Sequence, residues 1–587
     1  MARVIFLLIN VSSFSFSDWW ATQQNAWQID FSAIAYLLII PLLLYFLNQL
    51  FVSQIWSKLL RAYFVLALLS VALISSVDVL LYKEWNTKFN IRALDYLRHP
   101  DEIFRTAGWG YILLFLFLVF CLFFLGYSSF KKERQNAIFQ IQYGKISFLF
   151  FPIWIAVFVI LIRGGLQQIP LQESDAYFSK NQKLNDAAVN PFWNFMASVV
   201  HKFKTQTKNP YHYFSDEELA KFPLAHLSSS QHILKTERPN IVFIILEGWS
   251  SDMLGANNSD LPQSCSPCFD SLTKQGLFFS NAYASGERSD QGVTAILTSF
   301  PALPLGAIIN DPKNIPALPS ISTELKKAGY STLFLFGGQL SYGNLKALIY
   351  QKNFDSIIEE KDLDKHFYRG RLGVHDENTF NVFNQKISEL KQPFFAAFFT
   401  QSTHFHYDYP HTKNTIKWAN DQNDYANSIF YSDSCLGNFI RKAKNEKWFS
   451  NTLFVILPDH SHRSPHEWAR YTAEFHHIPI LFFGDVIADS LRGKRIDYPV
   501  SQCGVSATVL QQMSLQNANF KWGNNLLNEE NPQAFFVFTE GVGLVNQNGN
   551  ISFDASNKKV MQFSATNNDT ATWLAPAKAF LQRIGTN

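Results

Sequence analysis

Before residue 165 the chain carries four long apolar runs, at about residues 33–52, 62–82, 111–130 and 147–162. A helix needs about twenty apolar residues to cross a hydrocarbon core, so runs of this length read as membrane helices. A shorter run at 4–16 has the length of a signal-peptide core. Asp18-Trp19-Trp20 follows it with no convincing small-residue cleavage site, so it is read as a first membrane helix. The chain is 16% aromatic with 56 Phe, somewhat enriched in this first third, where lipid is the reason that fits.

Lysine and arginine set the orientation. Arg3 precedes the first span, Lys58 and Arg61 lie between the second and third, and Lys131, Lys132, Arg134 and Lys145 lie between the fourth and fifth. These segments belong in the cytoplasm, whereas loop 17–31, with no Lys or Arg, belongs outside. Five spans with an inside N-terminus place everything after Arg163 outside. Asp78 reads as a helix-end residue near the outer interface, where a charge costs less. At 587 residues at least two domains are expected. The division is a membrane domain at 1–165, a polar juxtamembrane linker at 166–235, and an extracytoplasmic domain at 236–587. The net charge of +3 gives no argument for nucleic acid.

From Asn240 strands and helices alternate. Asn240-Ile241-Val242-Phe243-Ile244-Ile245-Leu246 is near-continuously apolar and stops on Glu247. That is the pattern of a buried parallel strand with a ligand at its carboxyl end. The pattern recurs at 452–457, which runs into Pro458-Asp459-His460. Further strands are expected at 331–336, 393–400 and 478–483, and helices at 321–328 and 427–442. This alternation predicts a doubly wound α/β sheet, whose sites lie at strand carboxyl ends. Residues 535–542 and 549–553 read as a terminal strand pair.

Between these strands lies 284–292, Ala-Ser-Gly-Glu-Arg-Ser-Asp-Gln-Gly, followed by a segment of helix character. A serine in that place is usually only an N-cap. Alongside Glu247, Asp459 and His460, Ser289 reads instead as a nucleophile at a helix N-terminus, where the dipole favours an alkoxide and a phosphate. A bound divalent cation would lower the hydroxyl pKa. Two carboxylates, an imidazole and an alkoxide suit Mn, Mg or Zn.

Leu246-Glu247-Gly248-Trp249-Ser250, the 286–292 segment, Ser402-Thr403-His404-Phe405 and Pro458-Asp459-His460 together resemble the lipoteichoic acid synthase family. That family belongs to the alkaline phosphatase and sulfatase superfamily. The resemblance implies a polytopic α-helical membrane domain followed by an α/β sulfatase/alkaline-phosphatase-like domain in a bacterial cell membrane. It also implies one metal ion, manganese first with magnesium or zinc as alternatives, held by Glu247, Ser289, Asp459 and His460. Ser289 would be the catalytic nucleophile, where the family usually has Thr. His404 would contact the phosphate or glycerol of the substrate. Arg288 is a phosphate contact or a surface arginine, and Tyr342 and Asn344 line the head-group pocket or serve the core. The implied partners are a phosphatidylglycerol-like membrane donor and an envelope polymer or glycan acceptor.

Cys265-Ser266-Pro267-Cys268 imitates a formylglycine motif but lacks its arginine and precedes the nucleophile loop. It is either a local disulfide or two small residues. Among 15 histidines some clustering is expected, and His462 and His477 are assigned structural roles.

Overall fold

The computed structural model describes residues 1–586 apart from 12, 52, 86–87, 90–99, 135–148, 167–169, 180, 205–210, 223–230, 259–260, 262–263, 305, 406, 411–415, 419–421, 464–465, 556–557 and 567–568. The chain divides into two units, Met1–Lys208 and Asn209–Asn587. The division falls inside the linker expected at 166–235.

The first unit is helical. It contains α1 (Ala2–Asn10), α2 (Phe16–Leu50), α3 (Gln54–Trp85), α4 (Pro100–Arg134), α5 (Phe151–Arg163), α6 (Gln182–Ala188) and α7 (Pro191–Lys204). The segments Phe16–Leu50, Gln54–Tyr82 and Trp109–Ser129 are long and apolar enough to cross a membrane, and Phe151–Arg163 is apolar but shorter. The expected first span is not a span. α1 has nine residues, about 14 Å at 1.5 Å per residue. Ser15 and Asp18 then form a capping box that starts a new helix at Phe16. The loop expected at 17–31 is therefore the first half of α2. Arg3 also pairs with Asp30 at 3.0 Å and donates to Ala187 O and Ala188 O. The five-span reading put Arg3 and these partners on opposite sides of the bilayer. Lys145 and residues 86–87 and 90–99 of loop 83–108 lie outside the described residues. Asp78 is fully buried, seven positions before the end of α3, and pairs with Lys88 at 2.6 Å while accepting from Phe89 N.

The second unit is built on a nine-stranded sheet. Its strands are β1 (Asn240–Leu246), β2 (Leu277–Tyr283), β3 (Ser331–Phe336), β4 (Ser356–Ile358), β5 (Phe394–Phe399), β6 (Thr452–Pro458), β7 (His477–Phe483), β8 (Arg495–Ile496) and β9 (Val500–Ser501). The order is β4-β3-β5-β1-β6-β7-β2-β8, with β9 pairing with β2. The stretch from β4 to β6 is parallel, while β7 runs antiparallel to both neighbours. The sheet is thus mixed rather than uniformly parallel. β1 and β6 sit at its centre and are buried along their whole length, which is why both read as unbroken apolar runs. β2 is absent from the sequence expectations because Ser280 and Asn281 interrupt its run. Both turn their polar atoms to residue 497 at the sheet margin.

The terminal pair is a four-stranded antiparallel sheet, β10 (Gln533–Phe538), β11 (Gly541–Asn546), β12 (Gly549–Asp554) and β13 (Lys559–Ala565). The expected strand 535–542 is two strands joined by a turn. The helix Thr570–Ile584 contributes Trp573, Phe580 and Leu581 to a core shared with Val542, Leu544 and Ile551.

Candidate metal and nucleophile centre

The central register delivers the ligands. Leu246 of β1 pairs with Pro458 of β6, so Glu247 and Asp459 emerge side by side. Asp459 N donates to Leu246 O at 3.1 Å. Asp459 Oδ1 accepts from Gly248 N and His460 N, each at 2.8 Å. Gly248 has φ +61°, a conformation that suits glycine and lets the chain turn directly after the acid. Glu247 is tied down on both sides: its N–H donates to Thr400 Oγ1 at 2.9 Å, and its carbonyl accepts from Thr403 Oγ1.

Ser289 arrives from the other direction. β2 leads into a buried loop, and Ser289 opens the helix Ser289–Thr298. Its Oγ donates to Glu247 Oε2 at 3.1 Å and lies 3.5 Å from His460 Nε2. The first turn of that helix lies against the metal edge, since a Cβ on Gly292 would stand 1.9 Å from Asp459 O. His460 Nε2 is 3.4 Å from Glu247 Oε1 and 3.5 Å from Asp459 Oδ2. Its Nδ1 sits 2.6 Å from Ser461 O, and donation there leaves Nε2 as the ligand atom.

The four predicted ligands therefore converge. Ligand atoms of Glu247, Asp459 and His460 lie within 4.8 Å of one another. Asp459 Oδ2 is buried and accepts no hydrogen bond, an orphan that a cation would satisfy. Burial works against ionisation of Glu247, but the hydrogen bond from His460 and the charges of His404 and His460 outweigh it and hold its pKa at about 2. Burial, reinforced by the Glu247 charge, lifts Asp459 to about 7. Burial disfavours the His460 cation, yet Asp459 and Glu247 raise its pKa to about 10. Two adjoining carboxylates in a dry site thus demand a positive charge beside them. A divalent ion fits this mixed nitrogen and oxygen donor set.

The remaining expected residues are placed as follows. His404 is partly exposed, and its charge acts on Glu247. Arg288 is half-exposed and binds Asp290 through Nε and Nη2, both at 3.1 Å. Tyr342 opens a turn against the nucleophile helix, since a Cβ on Gly343 would lie 2.8 Å from Asp290 Cβ. The Tyr342 side chain lies outside the described residues. Asn344 is buried and donates to Ile309 O at 2.5 Å, a loop-fixing role rather than a pocket one. His462 and His477 are half-buried and packed. His462 stacks on Tyr425 at 3.9 Å and meets Tyr407 Oη at 2.9 Å, while His477 Nε2 meets Ser280 O at 2.8 Å. His406 and His411 fall outside the described residues. Cys265 and Cys268 do not form a disulfide.

Two positioning residues escaped the sequence reading. Gln502 is fully buried, accepts from Ser285 N at 3.1 Å and donates to Pro458 O and Asp459 O at 2.8 and 2.6 Å. It ties the nucleophile loop to the metal-ligand strand. Tyr425 accepts from Ser250 N at 3.0 Å and donates to Gly248 O at 2.7 Å, gripping the turn after Glu247. Neither sits in a motif: the Gln502 bonds span 217, 44 and 43 residues, and those of Tyr425 span 175 and 177. The loop is held from a further side: Val537 N of β10 donates to Ser285 O at 2.8 Å, and Thr539 Oγ1 lies 3.2 Å from Glu287 Oε2.

The Sulfatase family model matches residues 239–515. The second unit has a sulfatase-like fold over these residues. It has the fold of the Listeria monocytogenes lipoteichoic acid synthase LtaP, with TM-score 0.51 and 16% identity over 64% of this chain and 98% of that one. The lipoteichoic acid synthase-like protein YvgJ of Bacillus subtilis is 23% identical over 231 residues, 38% of this chain and 36% of its own length. Phosphoglycerol transferase I of Escherichia coli is 25% identical over 244 residues, 38% of this chain and 31% of its own. The chain thus spans about a third of the length of these curated relatives.

Proposed function

We propose that this protein is a membrane-anchored transferase. It moves a phosphoglycerol head group from a phosphatidylglycerol-like lipid to an envelope polymer or glycan, through a covalent Ser289 intermediate. The observation that carries this reading is Ser289 Oγ, 3.1 Å from Glu247 Oε2 and 3.5 Å from His460 Nε2 at a helix N-terminus. The names of the relatives, a lipoteichoic acid synthase-like protein and a phosphoglycerol transferase, support the same chemistry. The membrane helices support a donor that stays in the bilayer, with the catalytic unit on the extracytoplasmic face.

Glu247, Ser289, Asp459 and His460 would hold one divalent ion, manganese first with magnesium or zinc as alternatives. When bound, that ion stabilises the serine alkoxide and the charge on the phosphoryl oxygens. Glu247 orients the Ser289 hydroxyl by accepting its hydrogen bond. A bond forms between Ser289 Oγ and phosphorus, the bond from phosphorus to the diacylglycerol oxygen breaks, and the serine hydroxyl proton passes to that departing oxygen. The helix N-terminus favours the phosphoryl anion. His404 meets the phosphate or glycerol, and Arg288, half-exposed beside the nucleophile, offers a further phosphate contact.

Ser289→Ala tests this in membranes given labelled phosphatidylglycerol. Diacylglycerol release should fall by about a thousandfold or more. Undiminished release would sink the nucleophile assignment. The mass of the Ser289 adduct separates phosphoglycerol from phosphoethanolamine transfer, and free phosphate release would mark a phosphodiesterase.

A further inference from the structure

Asp376 opens the helix Asp376–Ser388, where the helix dipole favours an acid. Its side chain, however, serves other elements. It is fully buried, and its Oδ1 accepts from Gln401 N at 2.9 Å and Ser402 N at 3.1 Å, while Oδ2 accepts from Ser432 Oγ at 2.7 Å. Asp376 N in turn donates to Ser402 Oγ at 3.0 Å.

These contacts fix the strap 400–404, which follows β5 and passes beside the metal edge. The ends of the strap are tied to Glu247: Thr400 Oγ1 accepts from Glu247 N, and Thr403 Oγ1 donates to Glu247 O. Its middle is tied to Asp376. Gln401 relays that hold, since its N–H goes to Asp376 and its carbonyl accepts from His404 N at 3.0 Å. The His404 charge reaches Glu247.

Asp376 also joins two loops. The 370–375 loop that leads into it faces the strap across a narrow cleft of about 20 Å³, room for a water rather than a ligand. Gly370 admits the close approach, since a Cβ there would stand 2.8 Å from Asp408 Oδ2. Phe405, 62% exposed, lines this cleft, and the ring of Tyr368, 64% exposed, lies 4.9 Å from that of His375 in its wall. The outer faces of the two loops are open, and the carboxylate behind them is what binds one to the other.

We propose that Asp376 is a positioning residue that acts through His404. It holds Gln401 and Ser402 so that the His404 imidazole meets the phosphoryl group carried by Ser289. This rests on the phosphoglycerol-transfer reading above. Displacing a reacting group by about 1 Å costs about a hundredfold in rate.

The test is a double-mutant cycle on the full chain in phosphatidylglycerol vesicles, read by diacylglycerol release and by manganese titration. Asp376→Ala should lower release by about a hundredfold, but by no more than about threefold further in a His404→Ala background. Manganese affinity should be unchanged in Asp376→Ala, because the ligands leave β1 and β6; a general loss of structure would weaken it. Asp376→Asn should restore most of the release, since its amide keeps an oxygen for the Gln401 and Ser402 N–H groups and donates to Ser432 Oγ. Losses that multiply in the double variant, or manganese binding lost along with release, overturn the proposal. Should Asp376→Ala not fold, Ser432→Ala removes only the support of Oδ2 and carries the same cycle: a severalfold loss that vanishes in the His404→Ala background supports the proposal, and unchanged release overturns it. If the wild type releases no diacylglycerol, the transfer reading fails on its own. The cycle is then read on the Kd of glycerol phosphate by calorimetry: coupled losses support the positioning role, and additive losses or no binding overturn it.

Discussion

The metal edge and the neighbouring cleft are built by opposite means. Glu247 and Asp459 leave the ends of two central, fully buried strands whose register fixes their separation. The cleft is framed by loops, glycines and aromatic rings turned outward. Reacting atoms tolerate little displacement, so they sit on strand ends that packing holds still. An exposed loop surface can be replaced without disturbing the sheet.

Substitutions at the two regions should separate accordingly. The largest effect belongs to the edge: Asp459→Asn should abolish stoichiometric metal, measured by elemental analysis of the purified protein, and lower diacylglycerol release by about a thousandfold. Retained metal would break the contrast. Chelation comes next. Saturating manganese at a hundred times its Kd should stabilise the second unit by about 2.7 kcal/mol over the chelated protein. A Tm that does not respond to chelator would count against the site. Gln502→Leu strands the Pro458 and Asp459 carbonyls and Ser285 N, and should cost about 3 kcal/mol by denaturant unfolding. Tyr425→Phe removes the grip on the turn after Glu247, for about 1–2 kcal/mol and a severalfold weaker metal titration. Smallest of all, Tyr368→Ala should change stability by no more than about 0.5 kcal/mol, since its ring faces solvent.

The same contrast governs what the sequence revealed. β1 and β6 were legible with their terminal acids because strands buried on both faces leave an unbroken apolar signature. Ser289 was legible because a helix follows it at once. β2 was not, because Ser280 and Asn281 break its pattern to satisfy partners at residue 497. Gln502 and Tyr425 left no local signal, since their hydrogen bonds reach residues from 43 to 217 positions away. In the membrane half, apolarity alone merged α1 with the start of α2. The boundary is written in the Ser15–Asp18 capping box, a polar detail inside a hydrophobic stretch.

The strand that braces the nucleophile loop has a consequence for timing. Val537 holds Ser285, and Thr539 reaches Glu287 across 252 residues of chain. A nascent polypeptide can assemble β1 and β6, with the acids at their ends, well before this last wall exists. Ser289 is therefore framed only once translation has passed residue 539, so a half-made protein carries Glu247 and Asp459 before the wall around this serine is finished.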